Sequence, residues 1–212
     1  MMILESHPFG PIGTNSILLA SSSNKKGYLF DAPQGCTSYW KKRAASLSLP
    51  IEGIFFTHSH WDHIADAASL KETFNCPVWI HPDDAPNLKQ PGADGIPLYF
   101  PIAGVESDKL LQDGQKIQLD GLTLIVLTTP GHTPGCVCFY CPEKEILISG
   151  DTLFKGTIGR LDLPTSRPDL MKGSLEKLLK LPPKTKVFPG HGDTTTIGEE
   201  TAMMNYLIQE EL

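Results

Sequence analysis

Four of the six side chains in His58-Ser59-His60-Trp61-Asp62-His63 can bind a metal ion, at a spacing that one short loop can wrap around two cations. No other stretch restricts the fold so strongly, because such a loop has to face a shared pocket. Three further potential ligands lie in separate glycine-flanked segments: Gly131-His132, Gly150-Asp151 and Gly190-His191-Gly192. A fold that satisfies this pattern brings all four segments to one place, and seven ligands suit two metals.

The residue types fit that chemistry. Zinc takes neutral imidazoles and carboxylates at about 2.0–2.2 Å, so each ligand has to be held at a fixed angle. His58 and His60, two apart, can turn toward one ion, whereas the adjacent Asp62 and His63 project differently and reach a second. Asp151 is the natural bridge, since a carboxylate has two oxygens, and Asp62 and Asp151 are the carboxylates read as catalytic. Glycine beside each remote ligand permits tight turns and close approach. Without cations, this many imidazoles and carboxylates in one pocket would be poorly satisfied. Two divalent ions and a hydroxide against two carboxylates leave a local charge of about +1, which attracts anions and brings the pKa of a bound water toward ~7.

With 212 residues and a net charge of −6, the chain is expected to form a single domain over 1–212 and to bind no nucleic acid. Its longest basic run is Lys41-Lys42-Arg43. The N-terminal MMILESHPFG does not resemble a secretory signal, so the cytoplasm is the expected location. The apolar run Leu124-Ile125-Val126-Leu127 is far short of the ~20 residues that cross a bilayer, and no membrane partner is expected. Five cysteines form an odd set that argues for reduced thiols. Cys138-Phe139-Tyr140-Cys141 has the spacing of a zinc knuckle or redox pair, but its β-prone, apolar setting favours a buried strand.

Short apolar runs at Ile3-Leu4, Ile17–Ala20 and Tyr28–Asp31, separated by Gly-Pro, Ser-rich and Gly signals, predict an opening β-meander. An amphipathic helix is predicted over 37–48. A strand over Ile51–Thr57 then runs into the histidine motif, followed by one helix from Asp62 to Phe74 and a short strand at 77–81. Pro82–Gly104 reads as an irregular excursion lying partly over the site. Further strands are predicted at 116–119, 122–127, 137–140, 146–149 and 186–188, with a hairpin turn at Asp120-Gly121. A helix over 168–180 is read with Leu170, Ser174, Leu175, Leu178 and Leu179 on one face, and a last helix over 197–212 with Ala202, Met203, Tyr206 and Leu207. Two sheets covered by helices accommodate this order. His7 and His81 have no partner in the spacing argument and read as ordinary histidines, and Trp61 reads as a packing residue. Thr57, Thr133 and Thr152 are candidates for orienting ligands or for capping turns.

At these residues the chain resembles the metallo-β-lactamase superfamily, whose His-x-His-x-Asp-His motif appears here as HSHWDH. TTPGHTPGCV (128–137), ISGDTLF (148–154) and VFPGHG (187–192) are similar to its remaining motifs in the same order. Within the superfamily the likeness is to glyoxalase II-like hydrolases, and GTIGRLDLPTSRPDLMKGSL resembles their short, single-domain bacterial branch. The resemblance implies an α/β fold, the αββα sandwich of two mixed β-sheets flanked by helices. It implies that His58, His60 and His132 hold one divalent metal, that Asp62, His63 and His191 hold another, and that Asp151 bridges them. Zinc is the expected ion, with iron or manganese acceptable to the same donors.

The implied reaction is hydrolysis of a hydroxyacyl-glutathione thioester such as S-lactoylglutathione, with a metal-bridging hydroxide as nucleophile. Arg160, nine residues after Asp151, stands where such enzymes place a basic residue that binds glutathione, though a surface salt bridge is the plain alternative. Only 21 residues follow His191, so the C-terminal helical domain of glyoxalase II proper is not expected, and its tyrosine after the last histidine is replaced by Gly192-Asp193. The alternative is a mononuclear-iron persulfide dioxygenase acting on glutathione persulfide, which Gly159-Arg160-Leu161-Asp162 also resembles and in which His58, His132 and Asp151 would hold the iron. A phosphodiesterase or nuclease is disfavoured by the acidic balance, and a β-lactamase by the lack of an export signal.

Overall fold

Two six-stranded sheets, each alternately apolar on both faces, stack through their inner faces and carry helices on their outer ones. The computed structural model describes residues 2–21, 26–119 and 121–210. The first sheet has the order β1 (Met2–Phe9), β2 (Thr14–Ser21), β3 (Lys26–Phe30), β4 (Ile51–Phe55), β5 (Val78–Ile80) and β6 (Lys109–Leu110). Its first three strands are the expected antiparallel meander, and β3 to β6 are parallel. Parallel neighbours need crossovers. These are α1 (Cys36–Leu47), then α2 (Trp61–Ile64) with α3 (Ala67–Phe74), then α4 (Ala85–Lys89).

The second sheet comprises β7 (Lys116–Leu119), β8 (Leu122–Thr128), β9 (Val137–Cys141) and β10 (Ile146–Gly150). After the small hairpin β11 (Leu153–Phe154) and β12 (Thr157–Ile158) and helix α5 (Pro168–Leu178), β13 (Lys186–Pro189) pairs parallel to β10. Strand β14 (Thr195–Thr196) lies on its outer edge, and α6 (Ile197–Gln209) closes the described chain. β7 and β8 pair antiparallel with Leu119 opposite Leu122; Asp120 of the expected turn lies outside the described residues, as do Ser22, Ser23 and the last two residues of the expected 197–212 helix.

Period-2 alternation divides the side chains among three apolar layers. Ile17, Leu19 and Phe30 face the other sheet, while Leu18, Ala20 and Leu29 face α1 and α3. Across the interface, Val137, Phe139 and Ile148 point inward, and Cys138, Tyr140 and Leu147 pack on α5 and α6. All five cysteines are free and buried. Among the described residues no helix is long and apolar enough to cross a membrane.

Three local expectations need correction. The helix expected over 62–74 is two helices, because the Asp66 N–H donates to the Ala32 carbonyl at 2.8 Å and its carboxylate accepts from Thr37 N and Oγ1, which draws residue 66 out of helical register. The excursion over 82–104 contains α4 and buries Asp84, Asn87 and Asp94. Of the expected helix faces, α5 buries Ser174, Leu175 and Leu178 as read, with Met171 in place of the exposed Leu170, whereas the face of α6 is rotated: Met204 is buried, Met203 and Leu207 are partly buried, and Tyr206 is exposed. In α6 the rotation follows Glu200, a buried carboxylate that accepts from Thr195 Oγ1 at 2.6 Å and Gly156 N at 2.8 Å.

Candidate metal centre

The four ligand-bearing segments all leave strands at one end of the sandwich. His58 follows β4, His132 follows β8, Asp151 follows β10 and His191 follows β13. Loops at such strand ends are where α/β folds assemble ligands. Backbone bonds lock the two sheets together there: Asn15 N donates to Gly190 O at 2.7 Å, and Val137 N to Thr57 O at 2.9 Å. The Asn15 side chain also donates to the carbonyls of Pro189 and Gly192, fixing the turn that carries His191.

All seven expected ligands meet. His58, His60 and His132 present ligand atoms within 4.8 Å of one another, as do Asp62, His63 and His191, and His58, His63 and Asp151 form a third such group. Asp151 faces every side of the cluster, with Oδ1 3.3 Å from His63 Nε2 and Oδ2 3.5 Å from both His132 Nε2 and His191 Nε2. Asp62 Oδ2 lies 3.3 Å from His63 Nε2 and 3.2 Å from His191 Nε2, and accepts from Thr14 Oγ1 at 2.6 Å. Six of the seven are buried, and His191 alone is partly open, with 25% of its side chain exposed.

Hydrogen bonds at the far ring nitrogens set the tautomers. His132 Nδ1–H donates to the Arg160 carbonyl at 2.8 Å, which only a protonated nitrogen can do, and His63 Nδ1–H donates to Asp31 Oδ2 at 2.9 Å. Thr57 gives its single hydroxyl proton to Asp31 Oδ2 at 2.8 Å, so the 3.1 Å contact with His58 Nδ1 has the imidazole as donor. Each Nε2 is thereby directed inward. Nε2 of His58, His60, His63 and His132, and Asp151 Oδ1, are buried with no hydrogen-bond partner. Orphaned buried acceptors of this kind are costly, and a cation satisfies them together; the donor set fits divalent metals of the zinc type.

Burial, then the neighbouring imidazoles His63 and His60, drives the His58 pKa well below the usual value, and burial with His132 lowers His60 to about 3. His132 is lowered by burial as well. For His63 burial acts the same way, but Asp62, Asp151 and Asp31 outweigh it and raise the pKa well above the imidazole range. Burial opposes ionisation of Asp62 and Asp151, yet His63 leads the contacts that hold both below the ordinary carboxylate value.

Two flanking glycines have a direct steric reason. A Cβ at Gly190 would collide with Asp151 Oδ1 and stand 2.8 Å from His63 Cε1. Gly150 has φ +51, and its Cβ would lie 2.5 Å from Thr57 Oγ1.

Sequence reasoning misses four supporting residues, Thr14, Asn15, Asp31 and Asp84. Asp31 ends the apolar strand β3 and orients His63 and Thr57, and that placement after a buried strand was a readable signal. Asp84 had none, since it sits beside the exposed Asp83 in a loop. It accepts from Ser59 N at 2.7 Å, Gly135 N at 2.8 Å and Thr133 Oγ1 at 3.0 Å, clamping the HSHWDH loop to the GHTPG loop. Burial pushes its carboxyl up to about 6 against those three donors. Thr57 and Thr133 thus orient the site, while Thr152 bonds Thr129 instead.

A cavity of about 470 Å³ opens on the cluster, floored by His60, Asp62, His132, Asp151 and His191. Ile96, Pro97 and Tyr99 line it, so the 82–104 excursion does reach the site. Trp61 packs on Tyr99 and Phe100 as a packing residue and also forms wall. Arg160 stands on the rim, its Nε and Nη2 each 2.9 Å from Asp162 oxygens. His7 and His81 lie apart, His7 against the Tyr39 hydroxyl and His81 beside Asp83.

The profile of the Metallo-beta-lactamase superfamily matches residues 9–191. Among curated relatives, a protein of Mycobacterium leprae, ML0493, is 35% identical across 97% of this chain and 99% of its own length. The probable metallo-hydrolase YqgX of Bacillus subtilis is 33% identical over 90% of both chains, and the hydroxyacylglutathione hydrolase GloC of Haemophilus influenzae is 33% identical over 75% of this chain and 77% of its own. Among solved structures, the B3 metallo-beta-lactamase BLEG-1 superposes with a TM-score of 0.88 at 34% identity, over 97% of this chain and 99% of that one. TTHA1623, in a di-iron-bound form, gives 0.79 at 35% identity, over 93% and 96%.

Proposed function

The chain belongs to the metallo-beta-lactamase superfamily, as a metallo-hydrolase with a metal-binding His/Asp centre, and we propose that it hydrolyses hydroxyacyl-glutathione thioesters with two divalent cations. The observation that carries this reading is the convergence of unpartnered Nε2 atoms around Asp151 at the floor of an open cavity. His58, His60 and His132 would hold one cation, Asp62, His63 and His191 the other, with Asp151 shared between them. Zinc is the expected ion; iron is supported by TTHA1623, whose structure is of a di-iron-bound form. When bound, such ions bring the pKa of water toward ~7, polarise a carbonyl and stabilise a departing thiolate.

The protein supplies the rest. Asp31, Thr57 and the Arg160 carbonyl engage the outer ring nitrogens of His63, His58 and His132, so that each Nε2 is aimed inward. Thr14 fixes Asp62, and Asp84 fixes the two loops relative to each other. Arg160 on the rim is placed to meet a carboxylate of the thiol carrier. The thioester reading draws on the likeness to GloC, named a hydroxyacylglutathione hydrolase.

Protein loaded with zinc, iron or manganese is expected to release free thiol from S-lactoylglutathione. Absence of thiol release from S-lactoylglutathione and from bulkier 2-hydroxyacyl-glutathiones alike, with all three metals, overturns the proposal. Oxygen uptake on glutathione persulfide by a one-iron form would point to the dioxygenase, and β-lactam turnover to the activity named for BLEG-1.

A further inference from the structure

The cavity that opens on the metal centre has two unlike ends. Arg160 belongs to the His132 side, since its own carbonyl accepts from His132 Nδ1. Ile12 and Phe154 belong to the His191 side: Thr14, two residues after Ile12, forms a bridge with His191, and the Phe154 ring lies 6.0 Å from the His191 ring. The excursion adds Ile96 and Tyr99 to the lining, the Tyr99 ring tilted against that of Trp61 at 4.9 Å between centroids.

Ile12 is 53% exposed and Tyr99 78%, two of the three large apolar side chains that are more than half exposed among the described residues, and both line this one cavity. Exposed apolar side chains gathered at a groove mark a ligand surface. Apart from the candidate metal ligands, the only charged residue lining the cavity among the described residues is Arg160, and Asp162 already neutralises part of its charge. A small polar acyl group such as lactoyl would cover little of this surface.

We propose that the site is built for thioesters whose acyl group is bulky and apolar, an aromatic or branched 2-hydroxyacyl group, held against Ile12, Phe154 and Tyr99 while the thiol carrier extends toward Arg160. This rests on the thioester reading above and narrows it. A phenyl ring removed from water against such a wall is worth a tenfold or greater preference, at about 25 cal/mol per Å² of apolar area.

The test compares S-mandeloylglutathione with S-lactoylglutathione on the metal-loaded enzyme and on Ile12→Ser and Tyr99→Ser, both surface substitutions that leave the core intact. The expected result is a kcat/KM at least tenfold higher for mandeloyl, with each variant pulling that ratio toward one. Product binding adds a readout independent of turnover: mandelate is expected to bind at least tenfold tighter than lactate, with the more negative heat-capacity change of apolar burial. Equal or better use of lactoyl, or variants that lower both substrates alike, overturns the inference and leaves the thioester reading standing. Failure to cleave either substrate overturns both.

Discussion

His58 and His63 lie 4.0 Å apart ring to ring, both with no exposed surface, yet their protonation is driven in opposite directions. The outer nitrogen of His58 meets the Thr57 hydroxyl, whereas that of His63 meets the Asp31 carboxylate, and Asp62 and Asp151 both approach His63 Nε2 at 3.3 Å. Burial alone therefore does not decide the state of a histidine here; the partner does. One half of the centre, His58 with His60 and His132, is a neutral imidazole set. The other, Asp62 with His63 and His191, is an anionic pocket that attracts positive charge.

Asp151 touches both halves, so its loss has the largest expected effect. Asp151→Ala should lower kcat/KM by more than ~100-fold and reduce the metal content together with it. Elemental analysis beside turnover checks this. Two metals retained in an active variant would mean that the halves do not share this carboxylate.

Acidity separates the halves next. In chelator-treated protein, His58 and His60 are held neutral, so the stability they contribute is present above the unfolded value near 6.5 and is lost as pH falls toward the folded values, about 3 for His60. His63 has the opposite sign: its raised folded pKa contributes stability that is full below 6.5 and is lost as pH rises through the folded value. Stability should therefore fall on both sides of an intermediate pH, which a series of melting temperatures against pH reads directly. His60→Asn should flatten the acid arm and Asp31→Asn the alkaline one; the reverse assignment would remove the distinction between the halves.

Asp84 supports both halves from outside. Asp84→Ala would leave the Ser59 and Gly135 amides and the Thr133 hydroxyl without their acceptor, at a cost of about 2–3 kcal/mol. Asp83→Ala, next to it but exposed, should cost almost nothing, and equal melting temperatures for the two variants would refute the clamp.

These residues also show what a sequence can and cannot disclose. HSHWDH was readable because its four donors are local, and the remote ligands because glycine marks places where backbone and ligand crowd together, as at Gly150 and Gly190. The layers were readable from the period-2 alternation of strands such as Ile17-Leu18-Leu19-Ala20. Asp84 was not, since its partners lie 25, 49 and 51 residues away and nothing near it in the chain differs from an ordinary acidic turn. The break at residue 66 was hidden for the same reason: its cause is the carbonyl of Ala32, a contact that exists only once the fold is made.

Arg160 gives the smallest effect and tests the sequence reading most directly. It lies on the cavity rim, as a substrate-binding residue should, and it is also forked onto Asp162, as a surface pair should be. Both side chains are largely exposed, about 70%, so solvent screens the pair and an incoming carboxylate competes on nearly even terms. Arg160→Ala should then raise KM for a glutathione thioester about two- to fivefold with kcat little changed, the pattern of lost uniform binding. Asp162→Ala frees the guanidinium and should lower KM by about twofold, an effect that added salt erases. If Arg160→Ala leaves KM where it was while Asp162→Ala also does nothing, the fork is only a surface ion pair, and carrier recognition falls to the apolar walls.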